Sequence, residues 1–381
     1  MTVKKIAHLC PDEKFIDIAI DIFSNIPNVK SDFYVATDNT INLVKNKNIK
    51  IVDKSIDTIN EINAQSYDYV IIHSLYFFRQ KLLARLKPKI IAITWGYDIE
   101  SDYTDFIKML IPLNLFKSYT RKAISVRPIK EKIQKVIKTV DCKVRTWQKQ
   151  YDKLIKKISY MSTVLPNEFD IIKEKYPYLQ YFPFDYMDPK ANIEFNFNTK
   201  INNNILVGHS LLPTNNHIDI LNLLEQRKIE CNAYIPLAYP NGSFEQFNSE
   251  SYKNEIKKFS KNLKYVHPIF LENYMDKYEY FKIIDNCSCA TFGQLRQEAV
   301  GNINHLLYTG KKIFMYQNSL NYQYYSNYTK VFTIDNDLIS GIFDNYLDYQ
   351  YQQQNYNFIH EKENYQKYIE NLTNFFNDLI I

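Results

Sequence analysis

Two periodicities alternate along the first hundred residues. Short apolar runs of strand length fall at 5–10 (KIAHLC), 32–37 (DFYVAT), 49–53 (IKIVD), 67–73 (YDYVIIH) and 90–95 (IIAITW). Between them lie stretches with helical spacing, such as 15–26 (FIDIAIDIFSNI) and 78–87 (FRQKLLARLK). Strand–helix alternation of this kind predicts a parallel sheet covered by helices on both faces. The pattern resumes near residue 200. Strands are expected at 203–210, 231–238, 263–270, 287–292, 311–316 and 330–334, with helices over 217–227, 249–262, 275–286 and 300–310. Helical spacing returns at 361–381, and the prolines of YFPFDYMDP (181–189) predict the connection between the halves. The expected fold class is α/β: two Rossmann-like domains, 1–185 and 200–360, facing across a cleft, with a terminal helix at 361–381. A length of 381 residues suits two domains. Neither half carries GxGxxG, so a dinucleotide is not implied.

Charge changes the picture in one place. Residues 121–157 hold thirteen Lys or Arg against three acidic residues, a net of +10 in a chain whose total is +5. Within this stretch Ile129, Ile133, Val136, Ile137 and Val140 share one helical face, while Lys130, Lys132, Lys135 and Lys138 carry charge. A basic, partly apolar helix suits an anionic membrane surface, and a solvated helix face is the alternative. No aromatic platform or RNA motif accompanies the charge, so nucleic acid is not expected as a partner. No apolar run approaches the ~20 residues that span a bilayer, and no secretory leader precedes the first strand. The expected location is therefore cytoplasmic, peripheral on the inner face of the membrane.

Composition adds less. The 32 tyrosines accompany abundant Asn, Lys and Ile and read as compositional bias. The five cysteines show no CxxC pair and are expected as buried thiols, with Cys287 and Cys289 on one face of a strand. Glycine is informative because only seven occur, at 96, 208, 242, 293, 301, 310 and 341. So sparing a use marks places where the backbone needs positive φ or close approach.

Three segments place polar chemistry at strand ends. In ILVGHSLLPTNNHIDIL (205–221) a strand runs into Gly208 and a polar turn, then a helix that Thr214, Asn215 or Asn216 can cap. Free N–H groups there suit a diphosphate, with Ser210, Asn215, Asn216 and His217 near it. In ATFGQLRQEAVGNINHLL (290–307) a strand ends at Phe292 and Gly293 opens a loop carrying Gln294, Arg296, Gln297 and Glu298. Gly301, followed by Asn302, sits in the next helix, where glycine costs ~1 kcal/mol and so needs a packing or ligand reason. Arg296 suits phosphate and Glu298 a ribose hydroxyl. In TWGYDIES (94–101) Asp98 is the first candidate base for an acceptor hydroxyl, with Glu100 and Asp102 behind it. Trp95 and Gly96 are expected on the acceptor side, and His73 closes a neighbouring strand. No HExxH, P-loop, GxSxG or convincing DxD occurs, so donor phosphates are expected to be held without a metal, by backbone N–H groups and side chains.

In this order the segments resemble the bacterial TDP-N-acetylfucosamine:lipid II N-acetylfucosaminyltransferase family, glycosyltransferase family 56. The likeness lies in WG-D-E (Trp95, Gly96, Asp98, Glu100), YFP…MDP (181–189), ILVG-S…N-H (205–217), IP--YP (235–240) and F…RQ…G (Phe292 to Gly301), with His73 after a strand. It spans roughly 60–360. The resemblance implies a GT-B fold, a dTDP-sugar held mainly by the C-terminal domain, and an undecaprenyl-diphosphate-linked acceptor. The donor would lie on Gly208, His209, Ser210 and 215–217, with base and ribose against Tyr234, Pro236, Tyr239 and the 292–302 loop. A nucleotide-sugar epimerase on the same fold and a non-catalytic peripheral membrane protein remain the alternatives.

Overall fold

The computed structural model describes residues 3–38, 40–103, 105, 108–125, 142–187, 201–238 and 249–379. The first sheet is built from β1 (Lys4–Cys10), β2 (Val29–Ala36), β3 (Lys50–Val52), β4 (Tyr69–His73), β5 (Lys89–Ile93), β8 (Ile158–Ser162) and β9 (Gln180–Tyr181). Its order is 3-2-1-4-5-8-9, all parallel. The second sheet uses β10 (Asn204–Val207), β11 (Cys231–Pro236), β12 (Val266–Leu271), β13 (Cys289–Phe292), β14 (Lys312–Met315) and β15 (Phe332–Thr333) in the order 12-11-10-13-14-15, again parallel. Counted within each half, both begin 3-2-1-4-5, the doubly wound order. That order puts a switch point between β1 and β4 in one sheet and between β10 and β13 in the other. The crevices beyond those strand ends are where such sheets hold ligands.

Every residue of β4, β10 and β13 is buried, as parallel strands covered on both faces require. Between the halves a two-stranded ribbon, β6 (Glu100–Asp102) with β7 (Ile111–Leu113), extends the loop after β5. These three-residue strands, and the helix Pro166–Lys175, are not marked by the apolar periodicity.

The halves exchange segments, which the expected limits 1–185 and 200–360 do not anticipate. Helix Ser118–Ser125 packs Ala123 and Ile124 against the second core. Asp219 draws it there, its carboxylate accepting from Tyr119 N (2.9 Å) and Thr120 N (2.7 Å). Helix Tyr365–Asp378 returns to the first core, where Tyr368, Leu372 and Phe376 join Phe23, Phe182 and Phe184. Asp185 N donates to the Tyr368 hydroxyl (2.9 Å), so the 182–187 segment belongs to the first half. Four cysteines (Cys10, Cys231, Cys287, Cys289) are buried free thiols. Cys287 precedes β13 rather than sharing its face.

Candidate active site

The loop after β5 turns at Gly96, whose φ is +79°. Asp98, the first-choice base, does not project into the crevice. It is fully buried, with one oxygen accepting from Trp95 N (2.8 Å) and the other from Leu75 N (2.8 Å). A short carboxylate folds back on its own turn in this way and becomes a tie between two loops. Asp102 is committed too: its carboxylate accepts from Leu115 N (3.0 Å) and pairs with Arg121 (3.2 Å).

Glu100, two residues on and one methylene longer, crosses the seam. Its Oε1 accepts from Gln297 N (3.1 Å) and its Oε2 lies 3.0 Å from Arg296 Nε, both in the loop after β13. Arg296 Nε is also 3.1 Å from Glu298, which takes a hydrogen bond from the Thr214 hydroxyl (2.8 Å). One guanidinium therefore sits between a carboxylate of each half. Burial pushes the Glu100 carboxyl up to about 7, with the Arg296 charge opposing the rise. Glu168, in helix Pro166–Lys175, adds a further carboxyl to this neighbourhood. It is fully buried, accepts from Leu165 N (2.7 Å), and is pushed well above the usual carboxylate range by burial and by the Glu100 charge.

On the second half, Gly208 (φ +72°) and Gly293 hold the turn closed. A β-carbon on Gly208 would lie 2.7 Å from Asn215 Oδ1 and 2.9 Å from His217 Nε2, while one on Gly293 would overlap the Asn215 carbonyl. Asn215 Oδ1 accepts from His209 N (2.9 Å) and from the Gln294 amide, which also lies 2.8 Å from His209 Nδ1. The same nitrogen lies 2.9 Å from Asn215 Oδ1, so His209 Nδ1 faces an acceptor as well as a donor. Burial lowers the His209 and His217 pKa values, that of His217 to about 3.

The expected side-chain cap of helix His217–Gln226 is not made. Asn216 is its N-cap in the left-handed region (φ +51°), which turns the side chain away from the helix. That amide instead donates to Leu115 O (3.1 Å) and Gly293 O (2.8 Å) and accepts from Lys117 N (2.8 Å), stapling the two halves. Gly301 has open space around it, so crowding does not explain it; it lies in the first turn of helix Val300–Tyr308, which also has no side-chain cap. Asn302 bonds Tyr280 (3.3 Å), Pro236 is buried and Tyr234 half-buried at the end of β11. Tyr239, Lys130, Lys132, Lys135 and Lys138 lie outside the described residues.

Five side-chain atoms at this seam (Glu100 Oε2, Glu168 Oε1, His217 Nε2, Gln294 Oε1 and Arg296 Nε) are buried and make no hydrogen bond, the ion pairs above apart. Polar atoms are rarely left so, and a concentration of them marks a site whose partners arrive from outside the chain. Among the described residues no three His, Cys, Asp or Glu side chains form a metal-binding group.

His73 is also corrected. It is fully buried, and both ring nitrogens are occupied, by His8 Nδ1 (3.0 Å) and by the Tyr186 hydroxyl (2.7 Å). His8 in turn meets Ser31 Oγ (3.2 Å), and Trp95 Nε1 donates to Tyr186 (3.1 Å). Burial keeps both imidazoles neutral, His73 at about 3. Neutral rings permit a chain in either direction between Tyr186 and Ser31: Tyr186 donates to His73, His73 to His8 and His8 to Ser31, or each of these bonds runs the other way, with Trp95 donating to Tyr186 in both. His8 had no sequence signal, being one polar residue inside an apolar strand. Glu168 had one in retrospect, as an acid in the first turn behind Pro166.

Comparison with known proteins bears on the family and the fold. Residues 169–343 match the model of the family described as 4-alpha-L-fucosyltransferase, glycosyl transferase group 56. No curated protein matches the sequence. Among solved structures, the alpha,alpha-trehalose 6-phosphate synthase of Burkholderia multivorans superposes with a TM-score of 0.59 at 6% identity, over 97% of this chain and 95% of its own. The sucrose-phosphate synthase of Thermosynechococcus elongatus gives 0.56 at 7% identity, over 98% of each. At such identities these likenesses establish the fold. The chain is a glycosyltransferase of the GT-B fold, and its residues 169–343 carry the family 56 pattern.

Proposed function

We propose that the chain moves an amino-deoxy sugar resembling N-acetylfucosamine from a dTDP-linked donor to an undecaprenyl-diphosphate-linked saccharide, in assembly of common antigen, O-antigen or capsule. The observation that carries the reading is the meeting of Glu100 with Arg296 across the seam, at 3.0 Å, inside a cluster of unsatisfied polar atoms. The donor diphosphate competes for Arg296 and takes further N–H donors from the 208–217 turn and from the open first turn at Gly301. No metal is required in this reading. Released from the guanidinium, Glu100 accepts the acceptor hydroxyl proton. The acceptor oxygen then forms the new bond to the anomeric carbon as the bond to the nucleoside diphosphate breaks, and the leaving group departs with the electron pair and negative charge. This is the inverting course; in a retaining one Glu100 orients the acceptor.

The basic 121–157 stretch would rest on anionic head groups at the inner face of the membrane. Among the described residues no helix is long and apolar enough to cross a bilayer. Thermal shift with TDP, UDP, GDP, ADP and CMP tests the donor: a selective rise with TDP is expected, and no shift with any of them overturns the reading. Product analysis with and without lipid-linked saccharide separates transfer from epimerisation.

A further inference from the structure

Five aromatic side chains run along the carboxyl edge of the first sheet. Phe15 meets Trp95 (ring centroids 6.2 Å apart), Trp95 meets Tyr97 (6.4 Å), Tyr97 meets Tyr76 (6.3 Å) and Tyr76 meets Trp147 (5.9 Å). Phe15 is 39% exposed and Tyr76 40%, and the three rings between and beyond them are half-buried. Tyr97 is the nearest of them to Glu100 in the chain, and Trp95 and Tyr97 flank Gly96, where a β-carbon would lie 3.4 Å from Glu100 Oε2. Trp95 lies on the same loop. It is also the ring that the Ser31–His8–His73–Tyr186 chain holds by its Nε1–H. Two buried imidazoles and two half-buried hydroxyls thus fix the orientation of one indole that is itself only half-buried.

We propose that this strip binds the saccharide of the acceptor, with Trp95 as its fixed ring beside Phe15 and Tyr97, and Tyr76 and Trp147 at its far end. His8, His73 and Tyr186 are positioning residues that act through the indole. The inference rests on the glycosyl-transfer reading and adds to it the surface that the acceptor occupies. Sugar rings present an apolar C–H face edged by hydroxyls, which matches half-buried rings interspersed with the Tyr97 and Tyr76 hydroxyls. Continuity with Glu100 argues for the saccharide over an isoprenoid tail, because the reacting hydroxyl must lie at the Glu100 end. A preset indole also lowers the ordering cost of binding.

Both tryptophans of the chain belong to the strip, so tryptophan emission of the unmodified protein reports on it alone. Titration with N,N′-diacetylchitobiose or maltose should give a saturable change in that emission. Tyr76→Ala should weaken it about five- to tenfold. Tyr186→Phe, which keeps the ring and removes only the hydroxyl, should shift the emission before sugar is added and weaken the disaccharide similarly. Neither variant should alter the thermal shift given by a nucleoside diphosphate. The proposal is overturned if neither disaccharide changes the emission while nucleotides still raise the melting temperature. It is overturned equally if farnesyl diphosphate saturates the strip and the disaccharides do not. If nucleotides fail as well, the glycosyl-transfer reading falls first and the strip with it.

Discussion

The two Rossmann-like halves share a strand order, and they line the seam with opposite chemistries. The first half presents rings, hydroxyls and carboxyls, and burial holds two of those carboxyls, Glu100 and Glu168, towards the protonated form. The second half presents amides, imidazoles and a guanidinium around close-packed glycines at Gly208 and Gly293. Groups held towards neutrality face anion-holding groups, and Arg296 pairs with one carboxylate of each half, Glu100 and Glu298. One topology has thus been fitted out twice, once for a neutral hydroxyl-rich partner and once for a charged one.

The sharpest way to break this contrast is to neutralise the first half at Glu100. Removing a general base costs about 10²- to 10⁴-fold in turnover, so Glu100→Gln should fall in that range while TDP binding survives. Asp98→Asn should instead lower the melting temperature, because its oxygens serve backbone N–H groups. In the wild type, kcat/KM should fall as pH drops below about 7, where the Glu100 carboxylate gains its proton. The acid limb of kcat should sit no lower, since donor binding takes away the Arg296 charge that opposes protonation. A Glu100→Gln enzyme that keeps wild-type turnover would return the base to another residue.

Altering the second half at Arg296 should cost slightly less. Arg296→Lys keeps the charge and loses the planar fork, and a loss of about 10²-fold or more in kcat/KM is expected, with a smaller TDP-induced rise in melting temperature. The same loss without any change in TDP binding would assign Arg296 to the acceptor side. Packing distinguishes the halves next. Gly293→Ala must displace the Asn215 carbonyl, and urea unfolding should show a loss of about 1–3 kcal/mol. Gly301→Ala meets no neighbour and should fold as well as the wild type. Equal destabilisation at both sites would show that close packing does not explain Gly293.

The α/β alternation was legible because buried parallel strands and amphipathic helices carry distinct periods. Glycines 96, 208 and 293 were legible because so few occur and each is crowded by a neighbour. What could not be read is which carboxylate a loop keeps for itself. Asp98 and Glu100 both follow the same strand end, and only the fold shows that the shorter one ties Trp95 to Leu75. His8 was hidden by its apolar strand, since its partners His73 and Ser31 lie on other strands. The exchange of 117–125 into the second half depends on Asp219 and Asn216, about a hundred residues away, and leaves no local pattern.

The smallest effect tests why the first half tolerates so many acids. Glu168 is fully buried, and its proton is held well above the ordinary glutamate value of 4.5 by burial. The folded protein therefore keeps a proton that the unfolded chain releases once pH passes that value, so stability falls as pH rises through the window between the two. Glu168→Gln removes this titration while its amide oxygen still accepts from Leu165 N, the bond that holds the start of its helix. Urea midpoints measured from pH 5 to pH 8 should decline for the wild type and decline less for the variant, with the two closest at the acid end. Parallel declines would mean that Glu168 is ionised in the fold. The first half would then carry a buried negative charge, and the contrast between its neutral groups and the charged groups of the second would rest on Glu100 alone.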